Sequence, residues 1–85
     1  MKITYSKEFI KQAQKLTPKL QLQLYERIAI FRDNPLHPIL RNHALKGKYS
    51  IYRSINLTGY LRALYIQEGS EAIFDTIGTH SQLYG

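Results

Sequence analysis

The sequence contains no cysteine and little acid: six Asp and Glu stand against twelve Lys and Arg in 85 residues. Without cysteine there is no disulfide framework and no thiolate metal site. No apolar run approaches the ~18 residues that a membrane span needs. The opening "MKITYSKEF" has no signal-peptide core, so a cytoplasmic protein with no membrane partner is expected. The three histidines, His37, His43 and His80, have no metal-ligand spacing such as i, i+4 on a helix. No serine stands in a nucleophile-elbow context, and "KGKYS" lacks the glycine spacing of a phosphate-binding loop. Of the carboxylates Glu68, Glu71 and Asp75, two flank a turn, which is poor material for a catalytic carboxylate pair. Neither a metal nor a cofactor is expected.

What is present suits one domain, residues 1–85. The apolar fraction is 44%, that of an ordinary globular chain. A chain of this length buries roughly 60–65% of its unfolded surface, enough for a modest core. The net charge of +6 and pI near 9.7 suit an anionic partner, a nucleic acid or an acidic protein.

"KITY" (2–5) alternates and predicts a short strand. Ser6 is placed to cap a helix in which Phe9, Ile10, Ala13 and Leu16 recur at helical spacing, opposite a stripe of Lys7, Lys11 and Lys15. Thr17-Pro18 closes that helix and opens a second, with proline at the first helical position. Leu20, Leu24, Ile28 and Phe31 keep one face of it until "DNP" at 33–35. Residues 36–48 show no sustained period and predict a connecting loop. Three strands then follow, "YSIYRSINL", "YLRALYIQ" and "EAIFDTIG", turning at Thr58-Gly59 and Gly69-Ser70. The order predicts an α+β fold: two antiparallel N-terminal helices packed on one face of a small, mainly antiparallel four-stranded sheet. A two-residue turn at Thr58-Gly59 pairs Ile55 with Arg62 and Arg53 with Leu64, placing Arg53 and Arg62 on one sheet face.

The remaining chemistry-bearing residues are His, Arg, Lys and Tyr, a set that suits RNA cleavage. The ribose 2′-hydroxyl is its own nucleophile, so an enzyme needs a base, an acid for the leaving 5′-oxygen, and cations around the developing charge. Histidine titrates near neutrality, and arginine grips phosphate in a bidentate fork. Taken singly, each residue also has a structural reading. His37 fits a surface loop, Arg53 and Arg62 fit pairs with Glu68 or Asp75, and Tyr84 fits an anchor for the tail.

"NPLHPILRNHALKG", "YLRALY" and "IGTHSQLYG", in that order after two helices, resemble the RelE/ParE superfamily of type II toxin–antitoxin toxins over about residues 5–85. The closing "GTH" with its aromatic and the "H-x-L-x-G" loop (43–47) are most similar to the YafQ-type branch. That resemblance implies a metal-independent endoribonuclease that cleaves mRNA on the ribosome. It also implies a cognate antitoxin, in a complex that is oligomeric and binds DNA through the antitoxin. Carried onto this chain, it makes His43 the loop histidine, His80 the C-terminal catalytic histidine and Tyr84 the terminal aromatic. Arg62 matches the strand arginine of the RelE branch, and Arg53 one of its basic strand positions. Lys46, Lys48 and Arg53 would hold flanking phosphates. The chain departs from the YafQ-type pattern at Asn56 and Tyr60, where a histidine and an aspartate are usual, and from the RelE pattern at Ile55. Which histidine is base and which acid stays open. A gyrase-poisoning toxin of the ParE branch and a catalytically inactive RNA-binding domain stand as alternatives.

Overall fold

The computed structural model describes residues 1–84, and side chains through Leu83. Strand β1 (Lys2–Tyr5) leads into helix α1 (Lys7–Gln14) and helix α2 (Pro18–Asp33). A 3₁₀ turn at Pro38–Leu40, a two-residue strand β2 (His43–Ala44) and a second 3₁₀ turn at Gly47–Tyr49 follow. Strands β3 (Arg53–Asn56), β4 (Leu61–Glu68) and β5 (Glu71–Thr79) then lead into a closing helix α3 (His80–Tyr84). The sheet order is β1-β5-β4-β3-β2, with β1 parallel to β5 and every other pairing antiparallel. The fold is therefore α+β, with five strands rather than the four expected. The additional strand, β2, is two residues long and has no periodicity to detect.

Both long helices start where their caps predict. Ser6 Oγ accepts from Phe9 N at 3.0 Å, and Thr17 Oγ1 accepts from Leu20 N at 3.3 Å with Pro18 inside the first turn. Each cap contributes about 1 kcal/mol. Ser6 also donates to Asp75 O at 2.7 Å, and Gln12 Oε1 accepts from Ile77 N at 2.6 Å. β1 pairs with β5 only from Glu71 to Phe74, so α1 satisfies the edge groups of β5 beyond that point.

Phe9, Leu24, Ile28 and Phe31 bury their faces against Ile55, Ala63, Tyr65, Ala72, Phe74 and Ile77 of the sheet. Phe31, Tyr65 and Phe74 form a ring cluster with centroids 4.9–5.2 Å apart. Full burial contributes about 1.5–3 kcal/mol for each large side chain before entropy is counted. Ile10 falls outside this core at 46% exposed, and with Tyr5, Phe9, Tyr25 and Ile28 it lines an apolar groove of about 410 Å³ between α1 and α2.

The β3–β4 hairpin departs from its predicted register. Asn56 lies opposite Arg62, Ile55 opposite Ala63 and Arg53 opposite Tyr65. Thr58 causes the slip: its Oγ1 accepts from both Tyr60 N and Leu61 N, while Leu57 N and Thr58 N both donate to Leu61 O. The hydroxyl leaves five residues, 57–61, between the Asn56–Arg62 pair, an odd number, where a two-residue turn leaves an even one. A one-residue slip inverts side-chain parity. Arg53 therefore shares the helix-covered face with Tyr65, and Arg62 lies on the opposite face with Asn56, so the expected common face for the two arginines is overturned. The Gly69-Ser70 turn forms as expected, with Glu68 opposite Glu71 and Gly69 at φ 58.

Candidate active site

On the sheet face turned away from the helices, a hollow of about 690 Å³ is lined by Arg41, Asn42, His43, Leu45, Asn56, Arg62 and His80. Four parts of the chain meet there: the segment around β2, the end of β3, the start of β4 and the start of α3. Among the described residues its ionisable lining is two arginines and two histidines with no carboxylate, which suits an anionic guest.

Arg62 projects from β4, and its Nη1 donates to Thr58 O, Gly59 O and Leu61 O at 3.2–3.3 Å. The widened turn thus braces one nitrogen of a guanidinium that carries five donors in all. Arg27 of α2 supports the wall from behind, donating to Asn56 O and Ile39 O, both at 3.3 Å.

His80 is exposed and is the first residue of α3. Thr79 and Gln82 bond reciprocally around it. Thr79 Oγ1 accepts from Gln82 N at 3.1 Å and Gln82 Oε1 accepts from Thr79 N at 2.9 Å, a capping box written in "THSQ". Gly78, opposite Arg62, lies against α3, where an added Cβ would stand 3.0 Å from Leu83 Cγ. A bare backbone at 78 lets the closing turn sit directly on the sheet.

His43 is exposed in β2, and its Nδ1 lies 2.8 Å from Arg41 O. Asn42 donates through Nδ2 to Tyr65 Oη at 2.7 Å and Pro35 O at 3.0 Å, and its Oδ1 accepts from Arg53 Nε at 2.8 Å. Arg53 therefore serves the wall of the hollow from the other face and does not line it. Lys46 and Lys48 are exposed outside the lining, with Lys48 Nζ 5.3 Å from the centroid of Tyr49. Tyr84 ends α3, and its side chain lies outside the described residues. His37 caps the Pro38–Leu40 turn, its Nδ1 accepting from Ile39 N at 3.1 Å. Three of the four expected catalytic residues, His43, Arg62 and His80, thus border one hollow. Arg41, Asn42 and Leu45 were not anticipated there, because neither periodicity nor charge separates them from an ordinary loop.

One titration on this face is displaced. Tyr52 donates to Asp75 Oδ2 at 2.7 Å, reaching two strands across to the residue that bulges from β5 between the Leu64–Thr76 and Tyr65–Phe74 pairs. That hydrogen bond, with partial burial and the Asp75 charge, pushes the phenol up to about 12. Tyr52 is therefore a neutral strut near pH 7. Among the described residues, no three His, Cys, Asp or Glu side chains cluster as metal ligands, and no helix is long and apolar enough to cross a membrane.

This arrangement of helices and sheet is that of the RelE-like type II toxins. The fold superposes with a TM-score of 0.78 on the crystal structure of YafQ from E. coli, at 25% identity over 98% of this chain and 97% of that one. It superposes at 0.70 on YafQ in the E. coli DinJ–YafQ complex, at 26% identity over 98% and 97%. For a YoeB/ParE toxin from Agrobacterium tumefaciens the TM-score is 0.78 at 19% identity over 94% and 99%, a likeness of fold alone. No curated protein sequence matches. The sequence model of the bacterial type II toxin–antitoxin toxin YafQ matches residues 1–85, and the chain belongs to that family.

Proposed function

We propose that this toxin is a metal-independent endoribonuclease that cuts mRNA on the ribosome, in the cytoplasm. The observation that carries the reading is the convergence of His43, Arg62 and His80, with Arg41 and Asn56, on one hollow whose described lining holds no carboxylate. The substrate's 2′-hydroxyl loses its proton to one histidine and attacks the adjacent phosphorus. The bond to the 5′-oxygen breaks, and that oxygen takes a proton from the other histidine. The products are a 2′,3′-cyclic phosphate and a 5′-hydroxyl. Arg62 and Arg41 hold the non-bridging oxygens as charge gathers on them, and Asn56 donates a neutral hydrogen bond. Tyr84 stacks on or hydrogen-bonds a base, and Lys46 and Lys48 meet flanking phosphates.

The natural inhibitor is a cognate antitoxin, as DinJ is found in complex with YafQ. An acidic segment of that partner suits the +6 charge, and an apolar helix face suits the groove between α1 and α2. The assembled complex is oligomeric and binds DNA through the antitoxin.

The test is cleavage of ribosome-bound message in the presence of chelator, with end-group analysis. Activity that survives chelation, a cyclic or 3′-phosphate end, and a block by one 2′-deoxy substitution at the scissile nucleotide are expected. A 5′-phosphate product refutes the mechanism. Absence of cutting together with trapped gyrase–DNA complexes assigns the chain to the gyrase-poisoning class.

A further inference from the structure

Among the described residues Arg41 is the non-glycine residue with positive φ (φ 48, ψ 46), at the end of the Pro38–Leu40 turn. A left-handed conformation costs an arginine about 1–2 kcal/mol and persists only where its surroundings impose it. Here the turn brings the Arg41 carbonyl to His43 Nδ1, 2.8 Å away. A carbonyl oxygen only accepts, so Nδ1 carries the hydrogen, and in the neutral ring the lone pair is on Nε2.

What imposes the turn is the next residue. Asn42 is tied to three separate elements: to Pro35 O before the turn, to the hydroxyl of buried Tyr65 on β4, and to Arg53 Nε on β3. These partners lie 7, 23 and 11 residues away in sequence, so the latch forms only in the folded chain. All of the amide's polar atoms are engaged, and Arg53 is half-buried on the helix-covered face, away from the hollow.

We propose that Asn42 and Arg53 are positioning residues that hold His43 with its proton on Nδ1 and its lone pair on Nε2, the form able to accept the substrate's 2′-hydroxyl proton. Arg53 acts through Asn42 and not on a phosphate. The use of the lone pair rests on the nuclease reading above, whereas the tautomer belongs to the free protein and is measurable without RNA.

The experiment combines nitrogen-15 NMR of the histidine rings in the full chain, assigned with His43→Gln, and steady-state cleavage of ribosome-bound message. Wild-type His43 is expected as the Nδ1–H tautomer, opposite to the preference of a histidine free in water. Asn42→Ala and Arg53→Met should shift it toward Nε2–H and lower kcat about tenfold or more, with KM changed by less than about threefold. If Asn42→Ala fails to fold, Arg53→Met and Tyr65→Phe, which keep the packed volume, carry the test. Wild-type His43 protonated on Nε2 overturns the proposal. So does Arg53→Met with an unmoved tautomer and a raised KM, which makes Arg53 a phosphate contact. A wild-type protein that cuts no RNA sinks the nuclease reading, and the tautomer shift then decides the latch alone.

Discussion

The two histidines of the hollow are held by opposite means. His80 is held locally: Thr79 and Gln82 close a capping box around it within four consecutive residues, and bare Gly78 seats the turn on β5. His43 is held from a distance, through a left-handed Arg41 and an Asn42 bound to three separate elements. A local device forms whenever its few residues are helical. A non-local one forms only when the sheet, the turn and the Tyr65 hydroxyl are all in place. The position of His43 should therefore report the integrity of the whole fold, while that of His80 should depend chiefly on its own turn.

The largest expected effect treats the two histidines alike. His43→Ala and His80→Ala should each lower cleavage by two or more decades, the scale of a lost proton-transfer group, with little change in thermal stability because both are exposed. Growth arrest on induction, checked against expression level, measures it. Full toxicity from a well-expressed His80→Ala protein would remove that residue from the chemistry.

A smaller effect should separate them. Thr79→Ala and Gln82→Ala each delete half of the capping box, which contributes about 0.5–2 kcal/mol to its helix. Cleavage should fall several-fold, and the His43 tautomer should stay as in wild type. Movement of the His43 signal in either variant would show that the two devices are coupled and break the contrast between them.

This difference also decides what was legible in the sequence. Ser6 and Thr17-Pro18 announced both helices because a cap is a local pattern, and Gly69 announced the β4–β5 turn for the same reason. The "THSQ" capping box was equally legible, though its place at the end of the chain made it look like a tail. The β3–β4 register was missed by one residue, since the Thr58 hydroxyl widens a turn that Thr-Gly alone makes look tight. That slip is why Arg53 was expected beside Arg62. The Asn42 latch was beyond reach, because no spacing rule connects Asn42 to Tyr65 before the fold brings them together. His43, Arg62 and His80 were picked out by residue chemistry and resemblance together.

A third test concerns the strut on the His80 side of the sheet. The Tyr52–Asp75 hydrogen bond raises the phenol from 10.0 to about 12. A raised folded value means that the stabilisation is fully present below pH 10 and is lost as pH climbs toward 12. Tyr52→Phe should cost about 1 kcal/mol at neutral pH and flatten the loss of stability between pH 10 and 12. Denaturant melts at pH 7, 10 and 11.5 measure both. A wild-type protein no less stable at pH 11.5 than its Tyr52→Phe variant, relative to pH 7, would show that the strut contributes nothing.

The smallest effect lies beneath His43. Ser54 faces His43 across the β2–β3 pair and Leu64 across β3–β4, is fully buried, and has no hydrogen-bond partner for its Oγ among the described residues. A buried hydroxyl without a partner costs about 1 kcal/mol or more relative to an apolar atom in its place. Ser54→Ala removes that cost while shrinking the side chain by one atom, so the desolvation gain opposes a small packing loss. The net expectation is a stabilisation of up to about 1 kcal/mol, or a few degrees in melting temperature for a domain of this size. The latch does not include Ser54, so the His43 tautomer and kcat should hold. A melting temperature that falls by several degrees would mean that the hydroxyl has a partner in solution. If kcat fell with it, the strand beneath His43 would join Asn42 and Arg53 in positioning the ring.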